Sequence, residues 1–126
     1  MILIFGGAYQ GKLSYALERF GLSDSDVYRC GENETTIPGG ATIIYGLEKW
    51  LLALAKAGAD SADAVRRFAA VNDGAIVICD DITCGVVPID QTLREWREVV
   101  GRTLAELTRG SDEVVRLFCG IPMRIK

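Results

Sequence analysis

The run Gly6-Gly7-Ala8-Tyr9-Gln10-Gly11-Lys12-Leu13 carries glycine and lysine at the spacing G-x4-G-K. Glycines in such a run let successive backbone N–H groups turn inward around an anion, and the lysine can reach the terminal phosphates of a bound triphosphate. A helix beginning at Lys12 would add the favourable field of its N-terminus. The competing reading is a glycine-rich strand-to-helix turn with a solvated lysine. Because Gly11-Lys12 falls where the helix must start, phosphate binding is the stronger of the two. The motif is incomplete, since P-loop proteins place Ser or Thr after the lysine to ligate Mg²⁺ and this chain has Leu13. Ser14 is one residue further on, about 100° around the helix, and Leu13 completes an apolar stripe that makes it a core contact.

A second feature, acidic, follows the apolar run Ala75 to Cys79. Asp80 and Asp81 stand at the end of that run, on the edge where parallel sheets bind ligands. They are candidates to hold Mg²⁺ or to accept the proton of a substrate hydroxyl, and equally candidates for solvated turn formers. The chain has four cysteines, no CxxC pair and no histidine. Mixed Cys/His zinc sites and Ser-His or Cys-His nucleophiles are therefore excluded. Cys79 reads as a buried thiol and Cys84 as a loop thiol, and a reduced cytoplasmic protein is expected.

These groups need a frame. The 126 residues are 49% hydrophobic and 25% charged, which suits one compact domain over 1–126 and excludes disorder. With 14 basic against 17 acidic residues and no basic cluster, no nucleic-acid partner is expected. No run approaches the roughly 20 apolar residues that span a bilayer, so no membrane association is expected either. Short apolar runs alternate with segments of helical period, the pattern of a βαβ succession. Strands are expected at Ile2–Phe5, Asp26–Cys30, Ala41–Tyr45, Ala75–Cys79 and Val114–Phe118, with an edge piece from Gly120 that contains Pro122. Helical stripes run through Leu13, Ala16, Leu17 and Phe20, closed by Gly21, and through Leu47, Trp50, Leu51 and Leu54 up to Gly58. Asp60 caps a third helix with Val65, Phe68 and Val71 toward the core. Asp90 caps the longest, whose stripe is Ile89, Leu93, Trp96, Val100, Leu104 and Leu107, with Glu98 and Arg102 paired on its wet face. Trp50 and Trp96 both read as core contacts or as subunit contacts of a homo-oligomer, ahead of cofactor stacking.

Beyond these patterns, the sequence resembles the bifunctional adenosylcobinamide kinase and adenosylcobinamide-phosphate guanylyltransferase family of cobalamin biosynthesis. The resemblance rests on Gly6-Gly7-Ala8 with Gly11-Lys12, on Asp80-Asp81-Ile82-Thr83-Cys84-Gly85-Val86-Val87-Pro88 followed by Arg97 and Gly101-Arg102, and on Ser111-Asp-Glu-Val with the ending Gly120 to Lys126. It implies a three-layer α/β P-loop NTPase-like domain with a mostly parallel sheet and right-handed crossovers. It further implies GTP or ATP as nucleotide, phosphorylation of the adenosylcobinamide hydroxyl, and guanylyl transfer through a histidine. The departures limit what carries over. The chain is shorter between its second strand and Ala41, where the family has that histidine, so guanylyl transfer by this route is excluded. Where the family's Val-Asp-Cys-Leu pattern has a metal-associated aspartate, this chain reads Ile44-Tyr45-Gly46-Leu47. With Leu13 and Tyr45 both unable to serve Mg²⁺, several kcal/mol of transition-state stabilisation are expected to be lost. The expectation is a nucleotide-binding domain with weak or absent kinase activity, in which Lys12 and Asp81 (Asp81 matching a family glutamate) would act and a corrinoid would be the second ligand. The alternative is a degenerate binding or assembly subunit that keeps the loop for its shape.

Overall fold

The structure is a computed structural model that describes residues 1–83 and 88–126. The order of elements is β1 (Ile2–Gly6), α1 (Lys12–Phe20), a 3-10 turn (Asp24–Asp26), β2 (Val27–Arg29), β3 (Ile43–Tyr45), α2 (Leu47–Ala57), α3 (Ser61–Val71), β4 (Ile76–Asp80), α4 (Gln91–Gly110), β5 (Glu113–Phe118) and β6 (Ile121–Arg124). One six-stranded sheet takes the order β2-β3-β4-β1-β5-β6, parallel except for the antiparallel β6. Among the described residues no helix is long and apolar enough to cross a membrane.

The apolar run of β1 is continuous because it is the inner strand of a sheet covered on both faces. Leu3 and Ile4 are both fully buried yet point to opposite sides, as period-two alternation requires. Leu3 joins the cluster of Leu47, Trp50, Leu51, Phe68, Val100 and Leu107 from α2, α3 and α4. Ile4 joins Ala16, with Leu13, Leu17 and Phe20 of α1 packed around it. These are the three expected layers: α1, the sheet, and α2 with α3 and α4. Chain leaving β1 turns to the α1 face and chain leaving neighbouring β4 reaches β5 by way of α4 on the other face. A crevice opens at the carboxyl ends of β1 and β4, the switch point at which open α/β sheets bind ligands.

Several local expectations are corrected. Val71 is 64% exposed, because the α3 stripe ends one turn earlier at Phe68 and Asn72 takes the C-cap. Ile89 precedes the α4 N-cap Asp90 and is exposed, and Leu93 in the first turn is only partly covered. Both lie beyond the reach of the sheet. Glu98 and Arg102 do not come within ion-pair distance, whereas Asp63 pairs with Arg66 and Arg67 on α3. The strands β2 and β3 begin later than the apolar runs suggest, at Val27 and Ile43, where parallel pairing starts. Cys84, Gly85, Val86 and Val87 lie outside the described residues.

Candidate functional site

The site grows from the register of parallel strands. Gly6 lies opposite Asp80, and the Asp81 N–H donates to the Gly6 carbonyl at 2.8 Å, so β1 and β4 end together. Gly6 has no room for a side chain: a Cβ there would stand 2.4 Å from the Leu117 carbonyl oxygen of β5. Gly11 is in the left-handed region at φ 83 and starts α1 without a side-chain cap, leaving the first amides of the helix directed outward. Gln10 ties the loop to the β5–β6 turn by accepting from the Cys119 N–H.

Around this loop lies a cavity of about 430 Å³ lined by residues 8–14, Tyr45, Glu48, Lys49 and Asp80. Lys12 is only 4% exposed. Its ammonium donates to the Gly7 carbonyl at 2.6 Å and pairs with Asp80 Oδ1 at 2.7 Å. The Asp80 N–H in turn donates to Glu48 Oε2 at 3.3 Å. Lys12, Asp80 and Glu48 are thus linked at the base of the cavity by an ion pair and a backbone hydrogen bond. Burial pushes the Glu48 carboxyl up to about 7, and the negative Asp80 beside it works in the same direction. The Trp96 indole donates to the Glu48 carbonyl at 2.7 Å and pins that turn of α2 to α4.

Of the residues singled out in the sequence, the structure brings together Lys12 and Asp80. Gly6 and Gly7 shape the loop that runs into the cavity, and Ala8, Tyr9, Gln10 and Gly11 line it with Lys12 and Leu13. Asp81 is not brought there. Its Oδ1 accepts from the Thr83 N–H at 3.0 Å and the Thr83 hydroxyl at 2.5 Å, a turn-forming role. Arg97 and Gly101 hold that turn from α4, Arg97 Nε donating to the Thr83 carbonyl at 3.0 Å and Gly101 lying against the Thr83 methyl. Leu13 packs against the α1-side core as expected, while Ser14 also borders the cavity. Tyr45 ends β3 with the Arg29 guanidinium 5.2 Å from its ring centroid.

The side chains at positions 13, 45, 80 and 81 do not form an open ligand set for a divalent cation. Position 13 is hydrocarbon, position 45 a phenol, Asp80 is engaged by Lys12, and Asp81 by Thr83. Among the described residues no group of three or more Asp, Glu or Cys side chains is arranged to hold a metal ion. Cys79 is fully buried and Cys30 nearly so. Burial pushes the Cys30 thiol up to about 12 and that of Cys79 well above its usual range, which makes both inert.

Glu48 and Lys49 were not singled out by sequence reasoning. A signal was present: α2 reads Leu-Glu-Lys-Trp-Leu-Leu-Ala-Leu-Ala-Lys-Ala and is buried nearly all round, so a charged pair in its first turn needs a reason.

The profile of a family described as cobinamide kinase / cobinamide phosphate guanyltransferase matches residues 41–125, more than half of the chain. Asp80, Asp81, Arg97 and the β5–β6 ending lie within the match. The glycine-rich loop lies before it, so the match rests on the middle and the end of the chain rather than on its two ends. No curated protein matches the chain in sequence.

Proposed function

Since the chain belongs to the cobinamide kinase / cobinamide phosphate guanyltransferase family, whose substrates are nucleotides and cobinamide, we propose that its cavity binds the triphosphate of GTP or ATP. In this reading residues 6–13 wrap the phosphates with backbone amides and Lys12 is the buried cation that meets the terminal phosphate. The observation that carries the reading is the Lys12 ammonium held at the base of an open cavity by the Gly7 carbonyl and Asp80. A buried lysine is tolerated when it is paired, and an arriving phosphate can replace the carboxylate as its partner.

Phosphoryl transfer depends mainly on positioning and charge neutralisation. The loop and Lys12 supply the first, and Asp80, not Asp81, is the acid on the cavity side. With hydrocarbon at 13 and a phenol at 45, transfer to the adenosylcobinamide hydroxyl is weak or lost. Guanylyl transfer through histidine is absent, because the chain contains no histidine. The second reading, a binding or assembly subunit, is favoured by the packing of Leu13 into the core and of Tyr45 beneath Arg29.

Calorimetric titration with GTP and ATP, with and without Mg²⁺, tests the proposal. Lys12→Ala is expected to weaken binding about tenfold or more, a larger loss than removal of Mg²⁺ causes. Absence of binding by the unmodified protein at millimolar nucleotide sinks the reading. An adenosylcobinamide phosphorylation assay then separates a slow kinase from a subunit that only binds.

A further inference from the structure

The charges lining the cavity are unevenly partnered. Lys12 presents little free charge, because Asp80 compensates it at 2.7 Å and the Gly7 carbonyl fills a further donor direction. Two of the remaining lysines are also engaged: Lys56 pairs with Glu32 at 3.8 Å, and Lys126 donates to the carbonyls of Thr108 and Arg109. Lys49 differs. It lines the cavity, is exposed, and makes no ion pair or side-chain hydrogen bond among the described residues.

Its position is set by α2. Gly46 takes φ 82 as the N-cap, and a Cβ there would stand 3.8 Å from Lys49 Cδ, so the lysine stem lies back over the start of the helix. Gly46 follows Tyr45 directly, and its N–H donates to the Ile78 carbonyl of β4 at 3.1 Å. The ammonium-bearing wall is therefore anchored to the strand that carries Asp80 and lies across the cavity from the glycine-rich loop. A polyanion entering meets Lys49 as a lining cation with no ion pair among the described residues, while Lys12 must first exchange Asp80 for phosphate.

We propose that Lys49 is a second phosphate-binding cation, holding the terminal phosphate from the α2 wall while the loop and Lys12 hold it from the α1 wall. The inference rests on the nucleotide-binding reading above and names the residue that neutralises charge where side chains 13 and 45 cannot recruit a metal. An ammonium is a compact point charge suited to a phosphate oxygen, and one charge-assisted contact of this kind changes affinity by about tenfold or more.

The experiment titrates GTP and inorganic tripolyphosphate, in EDTA and at two salt concentrations, into the unmodified protein and into Lys49→Ala, Lys49→Arg and Lys56→Ala, with melting curves for each. Lys49→Ala is expected to lose about tenfold affinity for both ligands and to show a shallower salt dependence. Lys49→Arg is expected to recover most of the loss, and Lys56→Ala to stay within about twofold. If the unmodified protein binds and Lys49→Ala binds as well, or if Lys56→Ala loses as much, the assignment to Lys49 is wrong and the cavity reading stands. If the unmodified protein binds neither ligand, both are wrong.

Discussion

The two walls of the cavity are built by different means. On the α1 side the chain makes its surface largely from backbone: Gly6 passes against β5, Gly11 turns left-handed, and the start of α1, without a side-chain cap, lines the cavity. On the β3–α2 side the surface is made of side chains, Tyr45, Glu48 and Lys49, delivered by a strand end and the first turn of a helix. At Gly6 the backbone surface has no room for an added atom, whereas a side-chain surface can exchange one charge for another. The first wall is accordingly fixed at Gly6, while the second presents Tyr45 at the end of β3 with the buried Glu48 and the exposed Lys49 one turn later.

Gly6→Ala strikes the backbone wall and should have the largest effect. Its methyl would meet the Leu117 carbonyl at 2.4 Å in a strand with no room to move, and an overpacked site of this kind costs about 3 kcal/mol. Chemical denaturation of the variant measures it, and a loss below about 1 kcal/mol would show that β1 and β5 can separate at this point.

Glu48→Gln probes the side-chain wall through pH. Burial and then Asp80 raise this carboxyl to about 7 from an ordinary 4.5, so the folded chain keeps a proton that the unfolded chain releases. Between about pH 4.5 and 7 the folded state binds more protons, and the contribution of Glu48 to stability falls as pH rises through that window. Glutamine keeps the acceptor for the Asp80 N–H without the charge. It should stabilise the protein by on the order of 2 kcal/mol at pH 8 and hardly at all at pH 4. Equal melting temperatures for the two proteins at pH 8 would show that the Glu48 charge is solvated or neutralised.

Leu13→Ser with Tyr45→Asp takes one residue from each wall and asks whether they can again cooperate around a metal. About tenfold tighter nucleotide binding in Mg²⁺ than in EDTA, close to 1.4 kcal/mol, is expected. Leu13 is only half-buried, so the accompanying loss of stability should be about 1–2 kcal/mol. Should the double variant fold and show no metal-dependent gain, the shorter segment before Ala41 separates this chain from the family's kinase chemistry better than these two positions do.

Much of the frame was legible because it is local. The spacing of Leu13, Ala16, Leu17 and Phe20 with Gly21 behind them marks α1 within a residue, and Asp60 and Asp90 mark two helix starts by a side chain that accepts from the amide three residues on. Ile89 and Val71 show the limit of such patterns. Each continues an apolar period past the point where the sheet ends, and periodicity alone carries no information about where the opposing layer stops.

The site divides along the same line. The run Gly6 to Leu13, with hydrocarbon at 13, was legible in the sequence alone, because a glycine-rich turn into a helix is contained in eight consecutive residues. Which of two adjacent aspartates meets Lys12 was decided only by tertiary structure: parallel register sets Gly6 opposite Asp80 and leaves Asp81 to its own turn. The same holds for Glu48 and Lys49. They lie more than thirty residues from both the loop and Asp80, and only the packing of β3 beside β4, with α2 pinned by Trp96, brings their charges into the cavity. A charge acts through space over a few ångströms, and distances of that kind are fixed by the fold rather than by neighbours in the chain.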